Sequence, residues 1–336
     1  MGIYSDNGYL NFEHIYNDKR TFIFMIGARA IGKTFGALSF CLEKKLKFIY
    51  LRTKAETVKK LSNVAFNPFK PVNDFYNRDI VINNKKTGGI TQFIDRQNNN
   101  EIVGYMLPLS TFSNFRGFDL SDIDIIIYDE FIPETDERPL KNQAAILFNA
   151  YETSNRNREL QGRKPIKLVC MSNANTIFND IFLYLKITKK VYDMHRKHKM
   201  YFYDDSKELS IYCLFDSPIS QQKKETALYK LTSGSQFEAM AIDNEYIIAN
   251  EELIKPQNIT GFKPVCNVGE CYFYVNGNNT YYMTTFKKGV FVKTYSNQEN
   301  SLLNFKHNNY QIWSAFLDDR LYFEDIYCLE YFNMIY

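Results

Sequence analysis

The 336-residue sequence has only four histidines and one tryptophan, and its six cysteines form no CxxC pair. Because zinc sites are built mainly from clustered cysteine and histidine, zinc binding is not expected. The most closely spaced cysteines, Cys266 and Cys271, are interpreted as strand residues. The histidines at 195, 198 and 307 have no carboxylate or thiol companions at ligand spacing and are interpreted as surface or packing residues.

The sequence also lacks a long apolar run and a marked excess of charge. No segment approaches the roughly 20 apolar residues of a membrane-spanning helix, and residues 1–20 do not have the order of a signal peptide. We therefore expect a cytoplasmic protein that has no membrane partner. The net charge is only +3, so any nucleic acid would have to bind a local basic patch. The segment 189–199 is such a patch, and a solvated charged face explains it equally well.

A glycine-rich segment near the N-terminus matches G-x-x-x-x-G-K-[ST], the phosphate-binding loop. It follows a short apolar run, residues 21–26, which is typical of a strand buried on both faces. The apolar spacing of residues 33–45 predicts that a helix comes next. The loop consists of Gly27, Ala28, Arg29, Ala30, Ile31, Gly32, Lys33 and Thr34.

Such a loop binds the phosphates of a nucleotide through backbone N–H groups at the start of a helix, where the helix dipole favours anions. We expect Lys33 to bridge the β- and γ-phosphates and the Thr34 hydroxyl to bind Mg²⁺. ATP and Mg²⁺ are therefore the predicted ligands. A GTPase is disfavoured because the N-K-x-D motif that reads guanine is missing. The alternative, a turn with a surface lysine, is disfavoured by the placement between strand and helix.

Two acids follow another apolar run. Asp129 and Glu130 come at the end of residues 123–128, at the edge where open α/β sheets bind ligands. We expect Asp129 to hold Mg²⁺ and Glu130 to polarise the attacking water. Asn173, after the apolar run 166–171, is a candidate sensor of the γ-phosphate, although it could simply cap a turn.

The remaining pattern predicts an α/β fold with two domains. A parallel sheet would include residues 48–51, with an antiparallel meander over 79–106 at its edge, and helices are expected at 140–158 and 179–186.

The predicted organisation is an ATPase domain (1–207), a helical linker (208–250) and a smaller α+β domain (251–336). Four strands are expected in the last domain, with a hairpin turn at 276–279, followed by a mostly helical segment. They span 263–266, 271–275, 280–285 and 289–293, and the helical segment is 310–336.

Phosphate hydrolysis also needs a cation where charge develops on the γ-phosphate. Several arginines could fill this role, and the sequence alone does not rank them. The candidates are Arg29, Arg52, Arg116, Arg156 and Arg158.

Six segments together resemble the DNA-packaging ATPases of phi twenty-nine-like podophages, additional-strand (ASCE) P-loop motors related to terminase large subunits. They are GARAIGKT, FIYLR at 48–52, PLS at 108–110, YDEF at 128–131, NRNRE at 155–159 and MSNA at 171–174. The resemblance implies a ring, a pentamer, that drives double-stranded DNA into a procapsid at its portal vertex in the host cytoplasm. Whether a structural prohead RNA joins this ring is left open.

The resemblance also implies roles for individual residues. Arg156, the first arginine of RNRE, matches the arginine finger that acts on the neighbouring subunit's ATP. Arg116 falls where the family has a second basic residue, a lysine, acting across the interface, and Lys54 lies near a DNA-contacting position. The C-terminal domain would resemble an RNase H-like nuclease that has lost its activity, since its first strands offer only Glu270 as an acid.

Two other functions remain open on the sequence. A terminase with an active nuclease would use Asp318 or Asp319 for cleavage. A nucleotide-gated binding protein would bind ATP with negligible turnover.

Overall fold

The chain divides into two compact units, Met1–Tyr246 and Ile247–Tyr336, in a computed structural model. The structure describes residues 2–63, 66–87, 90–115, 117, 120–134, 137–173, 175, 176, 178–243 and 250–336. No helix among these residues has the length and apolar character needed to span a membrane.

The first unit is built on one nine-stranded sheet. In chain order its strands are β1 (Phe22–Gly27), β2 (Phe48–Arg52), β3 (Ile80–Thr87), β4 (Ile90–Asp95), β5 (Glu101–Pro108), β6 (Ile125–Asp129), β7 (Lys167–Ser172), β8 (Tyr201–Asp204) and β9 (Leu209–Leu214). Across the sheet they lie in the order β3-β4-β5-β2-β6-β7-β1-β9-β8. Pairing is parallel from β5 to β9 and antiparallel at both edges, which confirms the predicted parallel sheet and the edge meander.

The additional strand of the predicted ASCE fold is β7, which lies between β1 and β6. The central strands are buried because helices cover both faces of a parallel sheet, and all five residues of β6 are buried. Carboxyl ends of parallel strands meet at one edge, so the ends of β1, β6 and β7 lie together there.

Ten helices are described in the first unit. They are α1 (Phe12–Tyr16), α2 (Lys33–Glu43), α3 (Ala55–Leu61), α4 (Lys70–Tyr76), α5 (Gln143–Asn155), α6 (Asp180–Tyr184), α7 (Thr188–Arg196), α8 (Pro218–Lys223), α9 (Ala227–Leu231) and α10 (Gln236–Ile242). The predicted helix 140–158 is shorter because Asn142 and Arg156 have left-handed backbones, with φ of 55° and 45°, which end α5 on both sides.

The predicted helical linker from residue 208 is wrong at its start. Leu209–Leu214 is β9, which pairs in parallel with β1 along its whole length. All six of its residues are buried, so the segment belongs to the sheet core. After β9 come the short helices α8 to α10, and the boundary between the compact units falls after Tyr246. The part of the predicted linker at 244–249 lies outside the described residues.

The second unit contains a mixed five-stranded sheet, in the order β13-β10-β11-β12-β14. Its elements are β10 (Lys263–Val268), β11 (Cys271–Val275), β12 (Tyr281–Thr284), β13 (Thr294–Tyr295), α11 (Glu299–Asn308), α12 (Tyr310–Leu317), β14 (Leu321–Phe323) and α13 (Ile326–Ile335). The predicted hairpin turn is confirmed, since β11 and β12 are antiparallel and the Asn276 side chain accepts from the N–H groups of Asn278 and Thr280, both at 3.0 Å.

The predicted strand at 289–293 is wrong. Val290 and Val292 are 83% and 93% exposed, and the pairing with β10 is restricted to Thr294 and Tyr295. β-Branched alternation favours a strand only where one face is buried, and here neither valine has a core to face. The segment 310–336 is mostly helical as predicted, with β14 inserted beside β12. The likeness of this unit to an RNase H-like nuclease stays a prediction.

Candidate nucleotide-binding site

The predicted phosphate loop connects β1 to α2 at the carboxyl edge of the sheet. Gly32 caps α2 in a left-handed conformation, with φ of 89°. A Cβ at Gly32 would also lie 3.1 Å from the ring of Tyr9, so both backbone angle and space require glycine. The start of α2 therefore presents its free N–H groups at the loop, as phosphate binding requires.

Lys33 is buried under this loop, with 8% of its surface exposed. Its ammonium donates to the carbonyl oxygens of Gly27 at 2.9 Å and Ala28 at 2.8 Å, and to Oδ1 of Asn173 at 3.0 Å. Burial lowers the pKa of Lys33 to about 8, although Asp129 and Glu130 favour the charged form. The structure thus brings Lys33 and Asn173 together, as the two roles predicted for them require.

Thr34 and Asp129 meet although 95 residues separate them. The Thr34 hydroxyl donates to Oδ2 of Asp129 at 2.7 Å, and the buried Tyr50 hydroxyl donates to the same oxygen at 2.7 Å. Hydroxyl and carboxylate oxygens are the ligands that Mg²⁺ prefers. The donor set therefore fits Mg²⁺, which Thr34 would bind directly and Asp129 would hold through this contact.

Glu130 stands just past the end of β6 with a left-handed backbone, φ 54°. Such a conformation is uncommon for a residue with a side chain, and it turns the chain so that Glu130 does not continue the buried strand. Its side chain is 48% exposed, against 6% for Asp129. Burial raises the pKa of Glu130, and Asp129 adds to the rise, while Arg52 opposes both.

Arg52, at the end of β2, forms an ion pair with Glu130 and lies 3.6 Å from Oδ2 of Asp129. Its guanidinium also donates to the Tyr50 hydroxyl at 3.4 Å. Burial favours a lower pKa for Arg52, but Tyr50 and the two acids raise it above its usual value. The sequence did not rank Arg52 among its five candidate arginines. The structure brings Arg52 to the two acids because β2 pairs with β6.

Glu134 is a site residue that sequence reasoning missed. It forms an ion pair with Arg29 of the loop and accepts from Nδ2 of Asn173 at 3.4 Å. Tyr50 was also missed. Tyr50 lies two residues before the end of β2, and only the strand order shows that β2 pairs with β6.

Several of the predicted residues line one cavity of about 850 Å³, a volume typical of small-molecule sites. They are Arg29, Lys33, Thr34, Asp129, Glu130 and Asn173. The structure therefore assembles the predicted phosphate, metal and water-activating groups in one place.

Three predicted residues, Arg156, Arg158 and Lys54, do not line this cavity. Arg156 is exposed at the C-terminal end of α5, whereas Arg158 is 6% exposed and donates to the carbonyl oxygen of Ser121 at 2.8 Å. Lys54 is half-buried and lies 3.9 Å from Glu137. Arg116 lies outside the described residues.

The profile of the podovirus DNA encapsidation protein (Gp16) family matches residues 5–334. The chain belongs to this family. Because the match spans nearly the whole sequence, membership of the Gp16 family applies to both units.

Relatives agree with this assignment. The chain is 26% identical over 334 residues to the DNA packaging protein of Bacillus phage B103, covering 94% of each chain. It is 26% identical over 264 residues to the DNA packaging protein of Bacillus phage phi29, covering 76% of this chain and 69% of the relative. Its fold is similar to a chain of the phi29 viral genome packaging motor assembly, with a TM-score of 0.66, 22% identity and coverage of 98% and 99%.

Proposed function

We propose that this encapsidation-family chain hydrolyses ATP and uses the energy to move double-stranded viral DNA into a procapsid. The observation that carries the proposal is the hydrogen bond between Thr34 and Asp129 in a cavity that also holds Lys33 and Glu130. Those four side chains supply the phosphate clamp, the metal ligands and the base that phosphoryl transfer to water requires.

Each residue then has a defined task. Lys33 exchanges the carbonyl oxygens of Gly27 and Ala28 for phosphate oxygens, and Asn173, already bonded to Lys33, registers whether the γ-phosphate is present. Thr34 and Asp129 would hold Mg²⁺, which would supply positive charge beside the phosphates. Glu130 accepts hydrogen bonds from the attacking water and orients it in line with the γ-phosphate.

An arginine supplied by a neighbouring subunit would complete the site by stabilising the charge that develops on the γ-phosphate. Arg156 is exposed and Arg158 is engaged with Ser121, so the geometry favours Arg156 as the residue that acts on the next subunit's ATP. We place the subunits in a ring, a pentamer, at the portal vertex in the host cytoplasm. Arg116 remains a proposed contact to the neighbouring subunit, and Lys54 remains a proposed contact to DNA.

A basic surface supports a nucleic-acid partner. The C-terminal end of α7 and the residues after it expose Arg196, Lys197 and Lys199, and Lys190 lies over the ring of Phe202 at 4.6 Å. Phosphates of DNA or of a prohead RNA suit such a surface. Binding through these lysines would weaken steeply as salt rises, because phosphate contacts release counterions.

The substitution Glu130→Gln tests the ATPase proposal. It should keep ATP binding and lower hydrolysis by at least about 100-fold, because the amide cannot take a proton from water. Glu137→Gln, an acid outside the cavity, is the matched control and should hydrolyse normally. Normal turnover in Glu130→Gln would show that Glu130 is not the base that acts on the attacking water. Negligible turnover in the wild type, with DNA and procapsids present, would favour a nucleotide-gated binding protein.

The terminase alternative predicts metal-dependent DNA cleavage by the second unit. In the structure Asp318 is paired with Arg320 at 2.7 Å, and Glu324 accepts from the Thr284 hydroxyl at 2.7 Å and from the Thr285 N–H at 2.9 Å. We favour a docking role for this unit because its first strands offer only Glu270 as an acid. Cleavage that is abolished by Asp318→Asn or Asp319→Asn would overturn that interpretation.

A further inference from the structure

Aromatic side chains line the cavity beyond the phosphate loop, and several of them are exposed. Phe75 is 71% exposed, Tyr76 52% and Tyr9 42%. Large apolar side chains that share an exposed patch mark binding sites more often than scattered ones do. All three line the same cavity as Lys33 and Thr34.

Phe35 connects this patch to the phosphate loop. It follows Thr34 in the first turn of α2 and also lines the cavity. Its ring centroid lies 5.7 Å from that of Phe75, edge to face, and 6.1 Å from that of Tyr76, nearly parallel at 20°. Phe75 and Tyr76 contact each other at 4.8 Å. The C-terminal end of α4 is therefore held against the start of the phosphate-binding helix.

Tyr9 lies against the loop from the N-terminal segment. Its Cδ1 would be 3.1 Å from a Cβ at Gly32, so the ring packs directly on the loop backbone. The backbone of Leu10 donates to the carbonyl oxygen of Ile31 at 2.9 Å, which fixes this segment beside the loop.

The phosphates of a bound nucleotide occupy the loop end of the cavity, so its ribose and base must extend into the rest. We propose that Tyr9, Phe35, Phe75 and Tyr76 form the subsite for the nucleotide base, which they bind by stacking. This inference rests on the proposed ATPase function and adds the residues that hold the base.

Stacking tolerates every base because each has a π-face, whereas selectivity requires hydrogen bonds to the base edge. The polar side chains beside Tyr9 are engaged with one another. Oδ1 of Asn7 accepts from the Ser5 hydroxyl at 2.6 Å and from the Tyr9 N–H at 3.3 Å. Its acceptor is thus occupied and unsuited to the adenine amino group. Stacking on the four rings favours purines over pyrimidines because purines have the larger stacking area.

The test compares two ligands, MgATP and magnesium tripolyphosphate, which lacks the base, by isothermal titration calorimetry on the full chain. The double variant Phe75→Ala/Tyr76→Ala should bind ATP at least about tenfold more weakly and tripolyphosphate within about twofold of the wild type. Phe75→Tyr/Tyr76→Phe keeps the rings and should restore ATP affinity. Tyr184→Ala removes an equally exposed ring, 62%, outside the cavity and should bind both ligands normally.

The outcomes separate the two proposals. Unchanged ATP affinity in the double variant, or equal losses for both ligands, would overturn the base subsite. Failure of the wild type to bind either ligand would overturn the proposed ATPase function itself. Titration with CTP tests the preference for purines, and an affinity for CTP equal to that for ATP would contradict stacking as the basis of recognition.

Discussion

At the scale of single residues, Asp129 and Glu130 are neighbours in the chain with different surroundings. Asp129 is 4% exposed and accepts from Thr34 and Tyr50, whereas Glu130 is about half exposed and paired with Arg52. The left-handed backbone of Glu130 separates their directions. A fixed, buried carboxylate suits a metal ligand and an accessible one suits a base, which supports the roles proposed for Asp129 and Glu130.

The ion pair between Arg52 and Glu130 predicts an effect of removing Arg52. Burial raises the pKa of Glu130 and Arg52 opposes this rise, so Arg52→Ala should raise that pKa further above its usual value. Because only the deprotonated carboxylate can act as base, ATP hydrolysis by the variant should fall off at a higher pH than in the wild type. A pH–rate profile measures the shift.

Arg52→Lys is the matched control, since it keeps the charge and should shift the acid limb much less. An acid limb that stays at the same pH in Arg52→Ala would show that Arg52 does not act on Glu130.

The lowered pKa of Lys33 predicts that nucleotide binding depends on pH. Its pKa is about 8 in the nucleotide-free protein because burial disfavours the ammonium ion. Bound phosphates favour the charged form, so ATP binding above pH 8 should take up a proton, and affinity should fall as pH rises through this value. Calorimetry at pH 7 and pH 9 in buffers of different ionisation enthalpy counts the protons. Equal proton uptake at the two pH values would contradict a lowered pKa.

The loop residues could be predicted because their spacing is fixed along the chain. The motif alone predicts that the loop containing Gly27, Lys33 and Thr34 binds phosphate. The partners of those residues come from other strands. Tyr50, Arg52 and Glu134 reach the site only through strand order and the turn after β6, and neither can be read from local sequence.

At the scale of elements, β9 packs against the first residue of the phosphate loop. A Cβ added to Gly27 would lie 2.7 Å from Cβ of Leu214 and 3.0 Å from Cδ1 of Ile31. Gly27→Ala should therefore lower the free energy of unfolding by about 2 kcal/mol, because β1 and β9 must separate to admit the methyl group. Urea unfolding followed by circular dichroism measures it.

Gly277→Ala is the control, since nothing lies within 4 Å of a Cβ there and the substitution should change stability little. Equal stability of the two variants would contradict the close approach of β9 to the loop.

Element prediction found β6 but missed β9, although both strands are buried. The run 125–128 was recognised because it is apolar throughout. Leu209–Leu214 is apolar except for Ser210, and its parallel pairing with β1 shows that it is a strand of the sheet core. Val290 and Val292 were predicted to lie in a strand because their sequence is strand-like. Both stay exposed because no core covers them.

At the scale of the whole molecule, the exposed Arg156 should act between subunits. Rings that mix wild-type and Arg156→Ala subunits should lose ATP turnover out of proportion to the variant fraction, because each variant leaves its neighbour's site incomplete and one incomplete site should stall a ring whose subunits act in turn. Turnover of the mixtures in the presence of procapsids and DNA measures this. A strictly linear loss would contradict this coupled action across the interface.

Arg158→Ala provides the contrast. Arg158 is buried and bonded to Ser121, so its removal should destabilise the subunit itself by about 1–3 kcal/mol. A disproportionate loss in mixtures with Arg158→Ala, at normal stability, would assign the intersubunit role to Arg158.

The most direct test of the central claim measures DNA that becomes protected from nuclease inside procapsids supplied with this chain and ATP. We predict ATP-dependent protection by the wild type, none with Glu130→Gln, and normal protection with Glu137→Gln. Protection that proceeds equally without ATP, or with Glu130→Gln, would contradict an ATP-driven motor.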